Sequence, residues 1–259
     1  MHATPYPDIN NILEHIFAEM QQILSGRLLG LYLYGSLVTG DFDPNSSDID
    51  LLAVIDCDLD DREADTLKRM HDRIAAAYPD WPDRIEVQYV SAAALRTFRS
   101  RPHPMAAISP GEPFHVIEAG ADWLVNWYVV QEYGKTLFGP APSAWIEPIA
   151  HEAFIETIRQ HMRQWRDWIE HLPRRRPSQA YAILTMCRGL YTLTHGEQVS
   201  KKRAALWVQR YLPAWSPLIA DALTWREHWR DLMEGGQDAF PETVRFVHAV
   251  IELIEREQL

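Results

Sequence analysis

Leu31-Tyr32-Leu33-Tyr34-Gly35-Ser36, then eleven residues, then Asp48-Ile49-Asp50-Leu51-Leu52 is the most informative stretch of this chain. A dense apolar run over 28–34 ends on Gly35-Ser36, and a second occupies 49–55. Their length and their β-branched and aromatic content predict strands. Side chains alternate along a strand, so Asp48 and Asp50 share one face and Ile49 and Leu51 the other. Two carboxylates on one face repel each other and lose hydration unless a cation sits between them. Hard oxygen donors of this kind suit Mg²⁺, which keeps waters and bridges to substrate phosphates. Gly35 lets the backbone approach a phosphate closely, and the hydroxyls of Ser36 and Ser47 can donate to phosphate oxygens. A third run, 85–90, alternates and sets Glu86 and Gln88 opposite Ile85 and Val87. If it lies beside the second strand, three carboxylates converge, a pair for a cation and one for the proton of an attacking hydroxyl. Singly, each feature has a plainer reading: Asp-x-Asp is mostly a solvated strand end, and Gly-Ser a turn. In this order on three strands, they point to phosphoryl chemistry.

Outward from this core, Ile12, Leu13, Ile16, Phe17, Met20, Ile23 and Leu24 step as an amphipathic helix that stops at Gly26. Residues 60–78, charged and Ala-rich, read as another helix. From His151 the β-branched runs vanish. Ile155, Ile158, Met162, Trp165 and Ile169 mark one helical face, which Pro173 ends. The run Arg174-Arg175-Arg176-Pro177 reads as a loop, with helix resuming over 180–193 before Gly196. Seven of the ten tryptophans fall at or after Trp145, and they read as helical core. Gly139-Pro140-Ala141-Pro142-Ser143 resists regular structure and reads as a linker. The expected class is α+β, with one domain over 1–140 and an all-helical one over 141–259.

Composition narrows the function. At 47% apolar and 24% charged the chain has the balance of a globular protein, not a disordered one. Its 25 basic and 36 acidic residues leave a net charge of −11, which disfavours a general nucleic-acid binder. Cys57 and Cys187 stand far apart in apolar runs, and 1–11 has neither a basic start nor an apolar core. A cytoplasmic protein without a disulfide framework or membrane span is the expectation. Asp41, Asp43, Asp56, Asp58, Asp60 and Asp61 read as solvated surface. His103, His115, His151, His161 and His195 have no ligand spacing.

The Gly-Ser…Asp-x-Asp arrangement resembles the nucleotidyltransferase superfamily, whose core is a mixed sheet flanked by helices. Leu184-Thr185-Met186-Cys187-Arg188-Gly189-Leu190-Tyr191-Thr192-Leu193-Thr194-His195-Gly196 is followed by Val199-Ser200-Lys201 and Ala204-Ala205-Leu206-Trp207. This is similar to the C-terminal helical domain of aminoglycoside adenylyltransferases of the streptomycin/spectinomycin type. Residues 128–140, ending Gly-Lys-Thr-Leu-Phe-Gly-Pro, are similar to that family's inter-domain region. The resemblance implies an N-terminal nucleotidyltransferase domain and a helical domain completing the cleft for ATP and acceptor. By it, Asp48 and Asp50 hold Mg²⁺, and Glu86 takes the proton of an acceptor hydroxyl that attacks the α-phosphate of ATP. Gly35, Ser36 and Ser47 cradle the triphosphate, and Arg188 and Lys201 add fixed cations to it. A monomer is expected, conferring drug resistance, with neither nucleic acid nor membrane as partner.

One departure concerns the acceptor. Members that modify streptomycin carry acidic residues in the loop before the Leu-Thr-x-x-Arg helix. Here it is Pro173-Arg174-Arg175-Arg176-Pro177-Ser178-Gln179, which repels a guanidinium. Spectinomycin is therefore expected over streptomycin. Glu112, Glu118 and Asp122 are alternative acidic contacts or ordinary surface. The rival readings are a transferase acting on a protein or other non-drug acceptor, and an inactive ATP-sensing or antitoxin-like module.

Overall fold

Pro7 in the first turn, where a missing N–H costs nothing, opens α1 (Pro7–Leu24). Ser25 at φ 45° and Gly26 at φ 90° turn the chain out of it. In this computed structural model, which describes residues 2–40, 42–81, 83–228, 232 and 235–259, the chain forms two compact units. One comprises Met1–Phe42 and Ser47–Ile149, the other Asp43–Ser46 and Ala150–Leu259. Asp41 and Trp229 lie outside the described residues.

The first unit is built on a six-stranded sheet. After α1 come β1 (Leu28–Tyr34), α2 (Ser36–Thr39), β2 (Ile49–Ile55), α3 (Asp61–Ala77), β3 (Ile85–Ser91) and α4 (Ala92–Thr97). β4 (His103–Ser109), β5 (Glu112–Ala119), α5 (Leu124–Tyr133) and β6 (Lys135–Phe138) follow. Across the sheet the order is β5-β4-β3-β2-β1-β6. β2 and β3 run parallel, and every other neighbouring pair is antiparallel. The sheet is thus mixed.

Strand alternation divides it into two faces. Leu31, Leu33, Ile49, Leu51, Ala53, Ile55, Val87 and Tyr89 pack with Ile12, Leu13, Ile16 and Met20 of α1 and Leu67, Met70 and Ile74 of α3. α5 lies against β1. α3 starts with a reciprocal cap: Asp60 accepts from the Glu63 amide at 2.8 Å, and Glu63 accepts from the Asp60 amide at 3.0 Å. Asp60→Ala is expected to cost about 1 kcal/mol. Thermal unfolding should register it as a drop of roughly 2–4 °C in Tm.

The segment after β6 is no free linker. Tyr32 donates its hydroxyl to the Pro140 carbonyl at 2.8 Å and accepts from Trp145 Nε1 at 2.7 Å. A single 3₁₀ turn over Pro142–Ala144 lies between those two anchors. The first compact unit therefore runs to Ile149 rather than closing at 140.

The second unit is helical throughout its described elements: α6 (His151–His171), α7 (Arg176–His195), α8 (Lys201–Tyr211), α9 (Ser216–Glu227) and α10 (Phe240–Glu257). α7 is apolar on almost every side and sits at the centre, touching the other four. A Cβ on Gly189 would overlap the Met162 side chain, so this glycine makes room for Met162 of α6. α7 begins at Arg176 with Pro177 in its first turn, where proline is tolerated, so the expected arginine loop is shorter than its sequence suggests. The tryptophans are less central than their spacing implied. Trp165 and Trp225 are buried, Trp207 and Trp215 pack at the margin, and Trp168 is exposed. Trp145 belongs to the first unit. Long aromatics at helix edges shield a core as well as fill it.

Candidate active site

Tyr34, Asp50 and Glu86 form one row across three adjacent strands. Tyr34 pairs with Asp50 across the antiparallel β1–β2 ladder, and Asp50 pairs with Glu86 across the parallel β2–β3 ladder. Directly opposed residues share a sheet face, so the row presents a phenol and two carboxylates on the side away from α1 and α3. Both carboxylates are half-buried, as is Asp48, which stands just before β2. Neighbouring strands lie about 4.8 Å apart. Two negative charges held at that spacing repel by roughly 3 kcal/mol at an effective dielectric near 20. Such a pair calls for positive charge or hydrogen-bond donors.

The donors are partly built in. Gln88 is fully buried one step along β3 on the same face, and its amide donates to Glu86 Oε1 at 2.6 Å. Tyr34 donates to Gln88 Oε1, also at 2.6 Å. Burial pushes the Tyr34 hydroxyl well above its ordinary range, and the charges of Glu86 and Asp50 push it further. It stays a protonated donor.

Gly35 turns the chain out of β1 directly against the second carboxylate. Its φ of 70° with ψ of −149° belongs to a region open essentially to glycine alone. A Cβ there would overlap Asp50 Oδ2 and lie 2.7 Å from the carboxyl carbon. Ser36 follows as the first residue of α2, half-buried. Ser47 is almost wholly buried, and its carbonyl accepts two bonds from the Arg84 guanidinium, one at 3.0 Å from Nε. Arg84 is itself 3% exposed, stacks 4.2 Å from the Trp81 ring, and accepts from the Ile49 amide at 2.9 Å. It pins the backbone on either side of Asp48.

Gly35, Asp48, Asp50 and Glu86 are therefore brought to one end of β1–β3. Arg188 and Lys201 stand in the helical unit, each half-buried. Lys201 Nζ lies 4.7 Å over the Tyr181 ring. Burial, and then the Arg188 charge, lower the pKa of His161. The other histidines have structural partners: His103 bonds the Thr97 hydroxyl, and His151 and His195 bond backbone carbonyls. Among the surface aspartates, Asp56 pairs with Arg27 at 2.8 Å and Asp60 caps α3. Asp122 accepts from the Gly120 amide, and Glu112 and Glu118 are exposed.

Whether Mg²⁺ fits can be judged from the donor set. Asp48 and Asp50 offer hard oxygens, and the missing Cβ of Gly35 leaves room beside Asp50. Among the described residues no three His, Cys, Asp or Glu are gathered tightly enough to hold a metal by themselves. A cation here would have the aspartate pair as protein ligands and complete its shell from phosphates and water, as Mg²⁺ commonly does. The residues fit.

Tyr34 and Arg84 went unread in the sequence. Tyr34 looked like one more apolar strand residue, and only its place opposite Asp50 reveals it. Arg84, one residue before β3, carried a faint signal as a basic side chain next to an apolar run.

Comparison with known proteins follows the same division of the chain. Residues 13–91 match the nucleotidyltransferase domain, and residues 145–252 match the aminoglycoside adenylyltransferase C-terminal domain. An aminoglycoside (3'') (9) adenylyltransferase of Shigella flexneri is 23% identical over 273 residues, spanning 97% of this chain and 98% of its own. One from Rhizobium radiobacter is 24% identical over 265 residues, spanning 94% and 93%. In fold, the chain is similar to the crystal structure of spectinomycin adenyltransferase AAD(9) from Enterococcus faecialis with ATP and spectinomycin. The TM-score is 0.73 at 18% identity, covering 94% of this chain and 99% of that one. With a nucleotidyltransferase domain followed by an aminoglycoside adenylyltransferase C-terminal domain, the chain has the domain make-up of its aminoglycoside adenylyltransferase relatives and is an adenylyltransferase.

Proposed function

We propose that this enzyme transfers AMP from ATP to a hydroxyl of an aminoglycoside-type antibiotic, with Mg²⁺, and prefers spectinomycin to streptomycin. The observation that carries the reading is the Tyr34–Asp50–Glu86 row with Gly35 seated against Asp50. Glu86 takes the proton of the acceptor hydroxyl as its oxygen attacks the α-phosphorus. The bond from that phosphorus to the bridging oxygen of the β-phosphate breaks, and pyrophosphate leaves with the bond's electron pair. The new ester joins AMP to the acceptor. Asp48 and Asp50 hold Mg²⁺, which when bound neutralises phosphate charge. Gly35, Ser36 and Ser47 line the triphosphate, Ser47 through a turn that Arg84 keeps in place. Arg188 and Lys201 supply fixed cations that stabilise the transferring phosphoryl group. The relatives named as aminoglycoside adenylyltransferases support the acceptor class.

Pyrophosphate release with Mg²⁺-ATP across a panel of aminoglycosides tests the proposal. An acceptor-dependent signal is expected, and its absence across the panel sinks the reading.

The order of preference rests on Arg174 and Arg175, which are exposed, and Arg176, half-buried beside Asp238 at 4.0 Å. Cationic repulsion and the lost carboxylate hydrogen bonds together are expected to weaken streptomycin by about 10²–10³-fold. Spectinomycin has no guanidinium and suffers less. kcat/KM for both drugs at low and moderate salt checks this; a higher value for streptomycin refutes it.

A further inference from the structure

We infer that Tyr34 and Gln88 are positioning residues for Glu86: a directed hydrogen-bond chain that orients the carboxylate receiving the acceptor's proton. The inference rests on Glu86 being the base in the reading above.

The direction of the chain follows from which atoms can donate. A carboxylate accepts only, so the group facing Glu86 Oε1 must be the amide nitrogen of Gln88, at 2.6 Å. That turns Gln88 Oε1 toward Tyr34, 2.6 Å away, and an amide oxygen also accepts only. Tyr34 must spend its one proton there. Every bond points the same way, toward Glu86. A flipped Gln88 would set a carbonyl oxygen against the carboxylate, two acceptors with no proton between them, so one arrangement is selected.

Position makes the chain rigid. Gln88 is 0% exposed and Tyr34 5% exposed, so the bond between them is buried from water. Both lie inside the ladder, with Tyr34 paired to Asp50 and Gln88 to Leu52. A buried glutamine in a strand otherwise lined by Val87, Tyr89 and Val90 is a costly choice. An apolar residue of equal length would serve packing as well or better. The cost has a function if the amide holds the Glu86 carboxylate in the plane that proton transfer requires, since a displacement of about 1 Å can cost 10²-fold in rate.

The test uses Gln88→Met, which keeps length and removes the amide, and Tyr34→Phe, which removes a single oxygen. Each is made alone and in a Glu86→Gln background, and is assayed with Mg²⁺-ATP and the drug giving the fastest wild-type turnover. Both single variants are expected to lower kcat by about 10–100-fold while KM for each substrate and the calorimetric affinity for ATP stay within about 3-fold. In the Glu86→Gln background neither is expected to lower the residual rate further, because the group they orient is already gone. Packing damage would reduce the rate in both backgrounds, so an equal loss in each overturns the inference. So does an unchanged kcat in both single variants while Glu86→Gln is inactive, an outcome that leaves the proposed function standing. If wild type and Glu86→Gln turn over alike, the inference falls with the role of Glu86 as base while the AMP transfer stands; if wild type turns over no acceptor, the function and the inference fall together. Should Gln88→Met not fold, Tyr34→Phe carries the same outcomes.

Discussion

Glu86→Gln is expected to bind Mg²⁺-ATP as the wild type does and to turn over about 10²–10⁴-fold more slowly, the usual contribution of a positioned base. Asp50→Asn is expected to lose both properties. The two carboxylates are cross-strand partners in one row, yet their surroundings differ. Asp50 lies against the backbone at Gly35, where the chain leaves β1 toward the turn proposed to line the triphosphate. Glu86 is held by the Gln88 amide inside the sheet. A ligand to the cation contributes to every state that contains the nucleotide, so its loss appears in affinity and rate together. A base contributes only where a proton moves, so its loss appears in kcat. Calorimetry of ATP binding beside steady-state kinetics separates the two. Equal loss of ATP affinity in both variants would make Glu86 a ligand and leave the reaction without its assigned base.

Gly35→Ala, a change of one methyl group, is expected to be nearly as damaging. The backbone at φ 70°, ψ −149° admits an L side chain only with strain of about 1–3 kcal/mol. The added carbon would also overlap Asp50 Oδ2, so the carboxylate must rotate or the turn must open. Either movement displaces a proposed Mg²⁺ ligand. Turnover is expected to fall by at least about 10²-fold, the scale of a 1 Å misplacement. ATP affinity should fall with it, and Tm by roughly 2–8 °C from the strain alone. A Gly35→Ala enzyme with wild-type kinetics would show that the Asp50 carboxylate does not need the position it holds here.

These two expectations differ in how far the sequence alone supports them. β1, β2 and β3 were legible because each carries an apolar run dense enough to set its limits, and the observed strands begin and end within a residue of those runs. The same applies to α6, whose face from Ile155 to Ile169 repeats at a helical period. β4, β5 and β6 were missed, and for β5 and β6 the reason is exposure. β5 and β6 are the two edges of the sheet, β5 carries Glu112, Pro113 and Glu118, and β6 is only four residues long. An edge strand facing solvent has little need of an alternating pattern. The five residues of 139–143 looked like a linker because proline and glycine forbid regular structure. They are held by Tyr32 instead, through contacts 108 and 113 residues apart in sequence.

By itself, then, the sequence determined the strands bearing the carboxylates, the helical second half and the identity of Asp48, Asp50 and Glu86 as the groups to watch. Each of those is a local property, written in the period of a few neighbouring side chains. Only the tertiary structure decided that Asp50 faces both Tyr34 and Glu86, that Gln88 joins the phenol to the carboxylate, and that Arg84 holds the turn before Asp48. Those depend on strand order and register, which arise when segments tens of residues apart pair through backbone groups that every residue shares. A one-residue slip in that pairing would send the same side chains to the opposite face without altering any local pattern.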